Sequence, residues 1–475
     1  MPDRASARWP FGWVLSRGRL KELRGWTRSS LGDWHFGAAP STPFAQSREL
    51  TVILVGFALD PLRTELTDDA LCDELDGLDE AEAQTLIDRL SGRFVALRLS
   101  SEHGATAQQD AMGLRAAYHT DPQYPPITGS HMLLVAGQVR APLGRFGMPM
   151  HLVESGESTY PRMTTARVGI KRLLPNLQWL GDRQSVRRIF PTAPREEATT
   201  EHVVRLIKSR VGGTLQGLAG PGVPLMASLT AGMDSRVTAS VLAGIEDVEY
   251  FTYDVQYQAK NRTNRHDVKG AKRLAERLEL RHTVLELLDR DVPADLKKQM
   301  DINWPLYHSP KLVSVYLERL PQRLHIGSTG FGIASAYWAR HGYSRLPLDA
   351  GEMRRIASSR RVGSAASLDA FHECSNASDF SRIAELGCDA YDLLLWALRV
   401  GAWFTSCSHE SDIAHDTHVL LNSRETLNAL LSVPFEDRKT DSVSRAILAE
   451  ADPAFLEIPT KGADSSGRVA LEVGG

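Results

Sequence analysis

Helix-period and strand-period stretches alternate from Thr199 to Leu287, and that alternation leaves few folds open. A helical run from Thr199 to about residue 211 carries Val203, Val204, Leu206 and Ile207. A short apolar run, Val223 to Leu229, reads as a buried strand, followed by a helical pattern with Val237, Val241 and Leu242 and a stop at Gly244. Strand Val248–Asp254, a helix over 266–279 with Val268, Ala271, Leu274, Ala275 and Leu278 on one face, and strand His282–Leu287 complete the series. Elements of these lengths in this order predict a parallel, doubly wound α/β sheet. Ligands of such sheets sit at the C-terminal ends of the strands, where Thr230–Ser235 and Asp254 would lie.

The turn after the first of these strands has the makings of a phosphate cradle. Thr230, Ala231 and Gly232 are small, and the helix they open has first-turn N–H groups that can meet an anion. Thr230 and Ser235 add hydroxyl donors, and Asp234 is a ligand for Mg²⁺ held against phosphate oxygens. The spacing is not that of a Walker loop, and no Gly-Lys-Ser/Thr is present. The same residues also suit an ordinary strand-turn-helix corner capped by Asp and Ser.

The preceding part of the chain has a different texture. Residues 1 to about 50 show no sustained period. Leu50–Phe57 is a buried strand, an acidic helical stretch runs from Asp68 to about Leu90, and Ser91–Leu99 alternates as a strand. With a further strand at Met132–Ala136, this predicts a β-rich layered domain. Val168–Pro194 reads as a crossover, and the prolines before Arg195 mark a boundary between residues 1–194 and 195–475. Beyond Leu324, itself the start of an apolar strand reaching Tyr337, the chain is mostly helical, notably Asp389–Trp403 and Asn422–Leu431.

Composition narrows the classes. Hydrophobic content of 42% and charged content of 24% suit a globular protein. A net charge of -3 gives no basic footprint for nucleic acid. Cys72, Cys374, Cys388 and Cys407 form no C-x-x-C pair, which argues for reduced thiols rather than zinc or a disulfide scaffold. No run approaches a membrane span, and the N-terminus lacks the apolar core of a signal peptide, so a cytoplasmic location is expected.

Thr230–Ser235 resembles the pyrophosphate loop Ser-Gly-Gly-x-Asp-Ser of the ATP pyrophosphatases: Gly232, Asp234 and Ser235 match, while Thr230 and Ala231 replace Ser and Gly. The wider order resembles the asparagine synthetase-like proteins. Gly92, Phe94, Asp110, Gly113, Arg115 and Tyr118 match a motif of their glutamine amidotransferase-like (Ntn-type) first domain. Leu173-Leu174-Pro175-Asn176 and Phe190-Pro191 match its end, and Leu431-Ser432-Val433-Pro434 with Arg438 echoes a later helical segment. Gly327, Gly330 and Tyr337 fall in register with the second synthetase motif, Gly-x-Gly-Gly-Asp-Glu-Leu-Phe-x-Gly-Tyr, but Phe331 and Gly332 stand where its acids would be. Pro459-Thr460-Lys461-Gly462 is similar to the closing lysine segment.

The resemblance implies a degenerate first domain, because Pro2 stands where the glutaminase cysteine would be exposed. It implies a second domain that binds ATP and Mg²⁺, adenylates a carboxylate and passes the acyl group to an amine, releasing AMP and pyrophosphate. Small-molecule or peptide acids and amines would be the substrates, as in β-lactam synthetases and lasso-peptide macrolactam cyclases; a homodimer stays open. By the same resemblance Ser228, Thr230, Ala231, Gly232, Asp234, Ser235, Asp254 and Gly327 would line the nucleotide, Asp234 would hold the metal, and Lys461 would neutralise developing charge. Two rivals remain: an inactive scaffold, favoured by Phe331-Gly332, and a pyrophosphate-loop enzyme activating a non-carboxylate oxygen.

Overall fold

The computed structural model describes residues 8–21, 23–144, 150–151, 158–159, 163–218, 223–255, 262–287, 290–320, 323–340, 365–380 and 382–459. The first part is built on two antiparallel six-stranded sheets. Its strands are β1 (Trp13–Ser16), β2 (Thr27–Leu31), β3 (Trp34–Ala38), β4 (Phe44–Gln46), β5 (Val52–Leu59), β6 (Ser91–Ser100), β7 (Gly104–Gln109), β8 (Tyr118–Thr120) and β9 (Ile127–Gly129). A small hairpin, β10 (Met150–His151) and β11 (Ser158–Thr159), precedes β12 (Ile170–Arg172), β13 (Leu177–Leu180) and β14 (Ser185–Arg188). One sheet runs β12-β8-β9-β1-β3-β2 and the other β14-β13-β7-β6-β5-β4.

Period-two alternation decides how the sheets stack. On β5, Ile53 and Val55 join Trp13, Leu15, Trp34, Phe36 and Trp179 in the core between the sheets. Val52 and Leu54 face the other way, against α1 (Asp68–Gly77) and α2 (Glu80–Arg89). Both faces are buried, which is why the strand reads as a continuous apolar run. The other sheet is covered by α3 (Met132–Val139), whose Met132 and Val135 pack on Val14, Tyr118 and Ile127. The result is a helix–sheet–sheet–helix stack.

In this first part three expectations need correction. The first fifty residues hold β1–β4, hidden from pattern reading because their buried residues are interrupted by turns and by exposed Thr27 and Arg28. Met132–Ala136 is helical, since a short apolar run does not by itself tell a strand from a buried helix. Val168–Pro194 is not merely a crossover, for β12, β13 and β14 complete both sheets. The acidic stretch splits at Leu78 and Asp79, where Asp79 accepts from Ala81 N and Glu82 N and starts a new helix with a capping box.

In the second part, β15 (Leu225–Ser228), β16 (Val248–Asp254), β17 (His282–Glu286), β18 (Leu324–Ile326) and β19 (Thr417–His418) form a wholly parallel sheet ordered β17-β16-β15-β18-β19. Helices α4 (Thr200–Leu218), α5 (Met233–Leu242), α6 (Arg262–Arg277), α7 (Ala294–Asn303) and α8 (Pro310–Arg319) connect and flank it. The strand order changes direction between β15 and β18, so the crevice beyond their C-terminal ends is the topological switch point. The expected strand from Leu324 to Tyr337 is shorter: after Ile326 the chain forms a 3₁₀ turn, Phe331–Ala334. The helix expected at Asp389–Trp403 is Ala390–Leu394 running into a π-helical stretch, Leu395–Phe404, and then Thr405–Ser411. No described helix is long and apolar enough to cross a membrane.

The two parts meet through buried polar contacts. Arg93, fully buried, bonds Asp412 at 2.5 Å and Asp416 at 2.7 Å. Asn422 donates to the Asp110 carboxylate at 2.8 Å and accepts from Met112 N at 2.8 Å. Trp396 Nε1 donates to Ala111 O at 2.6 Å.

Candidate active site

The loop after β15 is braced from within. Ser235 Oγ receives Thr230 N at 3.0 Å, lies 3.0 Å from Thr230 Oγ1, and contacts the carbonyls of Thr230 and Gly232 at 3.2 and 3.1 Å. Gly232 N donates to Thr230 Oγ1 at 3.0 Å. The Thr and Ser hydroxyls therefore shape the loop. Gly232 is the N-cap of α5 and makes no side-chain cap, and Asp234 is the acidic residue of the helix's first turn. Ala231, which stands where the resembled loop has Gly, is accommodated by α6: a Cβ on Gly270 would lie 2.7 Å from that of Ala231.

Asp234 sits in the first turn of α5, where its Oδ2 accepts from Gly332 N at 3.4 Å. Burial pushes its carboxyl up to about 6, the Gly332 N–H opposes that rise, and the charge of Asp441 adds to it. Asp441 is itself bonded to Arg340 at 2.5 Å. The position matching the resembled motif's Asp carries Phe331, whose ring lines an apolar cavity of about 290 Å³ with Val237, Val241, Leu421 and Ile447. Among the described residues no group of three or more His, Cys, Asp or Glu could hold a metal. A lone carboxylate with a raised affinity for protons is a poor hard-ion ligand, so these side chains do not fit a protein-built Mg²⁺ site.

Beyond the ends of β15 and β18 lies a cleft of about 630 Å³. Ser228, Thr230, Gly327, Ser328 and Thr329 form its strand-end wall, and Ser328 Oγ donates to Ser228 O at 3.1 Å to hold the two strand ends together. Tyr253, Val255, Leu287, Leu312 and Tyr316 give it an apolar side. The opposite wall comes from the π-helical stretch and the helix after it, with Arg399, Trp403, Phe404, Cys407, Ser408 and Ser411. The Arg399 guanidinium lies 5.2 Å from the Trp403 ring centroid. Lys311 and His308 enter from the start of α8. A channel with cationic groups and aromatic faces suits an anionic ligand with an aromatic base.

Of the sequence-predicted residues, Ser228, Thr230 and Gly327 line this cleft together. Ala231, Gly232 and Ser235 form the loop behind it, and Asp234 turns toward Gly332. Asp254 ends β16, where its carbonyl accepts from Leu287 N at 3.1 Å; its neighbours Tyr253 and Val255 are cleft residues. Lys461 lies outside the described residues. Pattern reading missed Arg236, whose buried guanidinium bonds Ala231 O at 3.0 Å, Phe455 O and Ile458 O at 2.7 Å, and Pro459 O at 3.2 Å, tying the loop to the end of the described chain. Its place directly after Asp234-Ser235 was the available signal. Lys311, His308 and Cys407 carried none, because the fold alone brings them to the strand ends.

No family model matches the sequence, and no curated protein matches it either. Two solved structures to which the chain is similar are an NH3-dependent NAD synthetase from Campylobacter jejuni in complex with the nitrate ion and a glutamine phosphoribosylpyrophosphate amidotransferase from B. subtilis complexed with ADP and GMP. The first is 14% identical with a TM-score of 0.20, covering 38% of this chain and 77% of its own. The second is 9% identical with a TM-score of 0.23, covering 70% of this chain and 72% of its own. At those scores neither likeness carries an argument, and the fold stands on the topology described above.

Proposed function

We propose that this chain is an ATP-dependent carbon–nitrogen ligase that adenylates a carboxylate and transfers the acyl group to an amine, releasing AMP and pyrophosphate. The observation that carries the reading is the cleft at the switch point of the parallel sheet, with Thr230 of the loop before α5 in its strand-end wall. ATP phosphates would meet the loop Thr230–Ser235 and the base would lie along the Tyr253 side. The acid would lie toward Arg399 and Lys311, whose charges suit a carboxylate. Holding acid and nucleotide in one cleft turns an improbable encounter into a positioned displacement.

The amine comes from a substrate rather than from glutamine. Cys72 is buried on α1 with its thiol pushed up to about 12, and Cys374, Cys388 and Cys407 belong to the second part of the chain. None of these suits a nucleophile on the first part's sheets. Amide closure within a specialised product, such as the macrolactam of a lasso peptide, fits that requirement. A second reading, a nucleotide-binding scaffold without turnover, is favoured by the Gly332 N–H that occupies Asp234 and by Phe331 beside it. Acid-dependent exchange of labelled pyrophosphate into ATP separates the two. Exchange with any acid in a panel of amino acids and peptides is expected, whereas tight ATP binding with no exchange would leave only the scaffold.

A further inference from the structure

The cavity of about 290 Å³ between α4, α5 and the helix Ser442–Ala451 has no part in the ligase chemistry. Ile207, Val237, Leu421, Ile447 and the Phe331 ring are its buried walls. The hydroxyls of Thr238 and Ser240 also line it, but they are satisfied within α5, donating to Asp234 O at 3.2 Å and Val237 O at 2.9 Å. A void of this size is unusual in a close-packed interior, and apolar walls give water few partners. Lys208, Gly212 and Ala451 are its exposed lining residues and mark the end that reaches solvent. Gly212 stands inside the 19-residue helix α4, where glycine is less stable than alanine. Its neighbour Gly213 has a packing reason to lack a side chain, because a Cβ there would run into Pro61 O. A Cβ on Gly212 would meet nothing within 4 Å, so packing does not ask for glycine there, whereas an open mouth does. Lys208, one turn earlier, pairs with Glu450 at 2.7 Å, with 53% and 52% of the two side chains exposed. A pair so exposed contributes little, so the ammonium can exchange Glu450 for another anion.

We propose that this cavity binds the hydrocarbon chain of an aliphatic carboxylate, with the carboxylate held at the mouth by Lys208. An apolar cavity of about 150 Å³ takes benzene, so one about twice as large takes a chain of roughly ten carbons. Lys208 belongs to the lining and Glu450 does not, so the mouth presents a cation to the head group. A lysine suits this place, since its alkyl stem lies on apolar surface while its charge stays in water. Binding of this kind needs neither ATP nor an amine, and so stands apart from the ligase reading.

Titration calorimetry of the full chain without ATP, using hexanoate, octanoate, decanoate and tetradecanoate, tests the assignment. One molecule should bind per chain, tightening about fourfold for each CH₂ up to about ten carbons and no further. Val241→Phe puts a ring into the cavity, and Gly212→Leu narrows its mouth. Each should keep the unfolding midpoint or raise it, since one fills a void and the other removes a helical glycine. Each should weaken decanoate by about tenfold or more, because several carbons lose their room. Decanoate should bind several-fold more tightly than decylammonium, and Lys208→Glu should reverse that preference. No saturable binding at any length, affinity still rising from decanoate to tetradecanoate, binding unchanged in both Val241→Phe and Gly212→Leu, or a head-group preference that Lys208→Glu leaves in place would each overturn the assignment.

Discussion

Two aspartates follow strands in this molecule, and they live under opposite conditions. Asp110, at the turn after β7, is wholly buried and fully used. Its Oδ1 accepts from Met112 N, Leu114 N and Asn422 Nδ2 at 3.2, 2.9 and 2.8 Å, and its Oδ2 from Phe94 N and Arg115 N at 3.3 and 2.9 Å. Asp234, at the turn after β15, has the long 3.4 Å contact from Gly332 N, and burial raises its carboxyl to about 6. A carboxylate saturated with donors is a structural rivet; one with few donors holds its proton more tightly. The Asp-x-x-Gly-x-Arg motif is thus explained by the turn it makes, with Gly113 at φ +70° and Arg115 N on the carboxylate. The Asp-Ser pair of the second turn is explained by the loop it leaves open.

The contrast breaks most visibly if Asp110 proves dispensable. Asp110→Ala strands several buried N–H groups and Asn422 at the contact between the two parts, and should cost roughly 3–5 kcal/mol. Urea unfolding measures this directly, and a midpoint like that of the parent chain would remove the distinction. Asp234→Asn should do the reverse, leaving the unfolding midpoint intact or higher. The sign follows from linkage. A carboxyl whose folded pKa, about 6, exceeds its unfolded value near 3.8 favours the folded state fully below the unfolded value. That contribution is lost as pH rises through about 6. The variant, having no such group, should therefore gain stability relative to the parent between about pH 4 and pH 6, and a constant difference across that window would show that Asp234 is not buried as described.

Legibility followed the same division. The parallel sheet could be read because β15, β16 and β17 are consecutive, mostly apolar and separated by amphipathic helices, so one local period names each element. The sandwich could be read only in its long central strands, β5 and β6. Strands β1–β4 are short and punctuated by turns, and α3 shares its apolar run with a strand's signature. At the site, Thr230, Gly232 and Ser235 were visible as a loop because their chemistry is local in sequence. The cleft's far wall was not, because Lys311, Arg399 and Trp403 reach it from α8 and from a π-helical stretch that no residue period announces. Arg236 lies between these cases: its position was visible, but its partners at Phe455, Ile458 and Pro459 are long-range.

The smallest expected effect tests whether the open turn owes its shape to α6. Gly→Ala inside a helix normally stabilises by about 1 kcal/mol, because alanine loses less backbone freedom on folding. At Gly270 the opposite is expected. A Cβ there would meet Ala231 Cβ at 2.7 Å and Ala231 Cα at 3.3 Å, and neither atom is the end of a flexible side chain. Either α6 shifts away from the sheet or the loop shifts toward the cleft, at a cost of roughly 1–3 kcal/mol that outweighs the helix gain. Since Thr230 and Ser235 hold the loop as one piece, its displacement would also misplace the start of α5 and weaken ATP binding. Ala231→Gly removes the opposing methyl and rebuilds the small-residue turn, so the double change should restore both stability and ATP affinity. That recovery is a coupling between neighbours, readable in a double-mutant cycle. Additive losses in the two single variants, with no recovery in the pair, would mean that the loop takes its shape from its own hydrogen bonds and that α6 merely lies beside it.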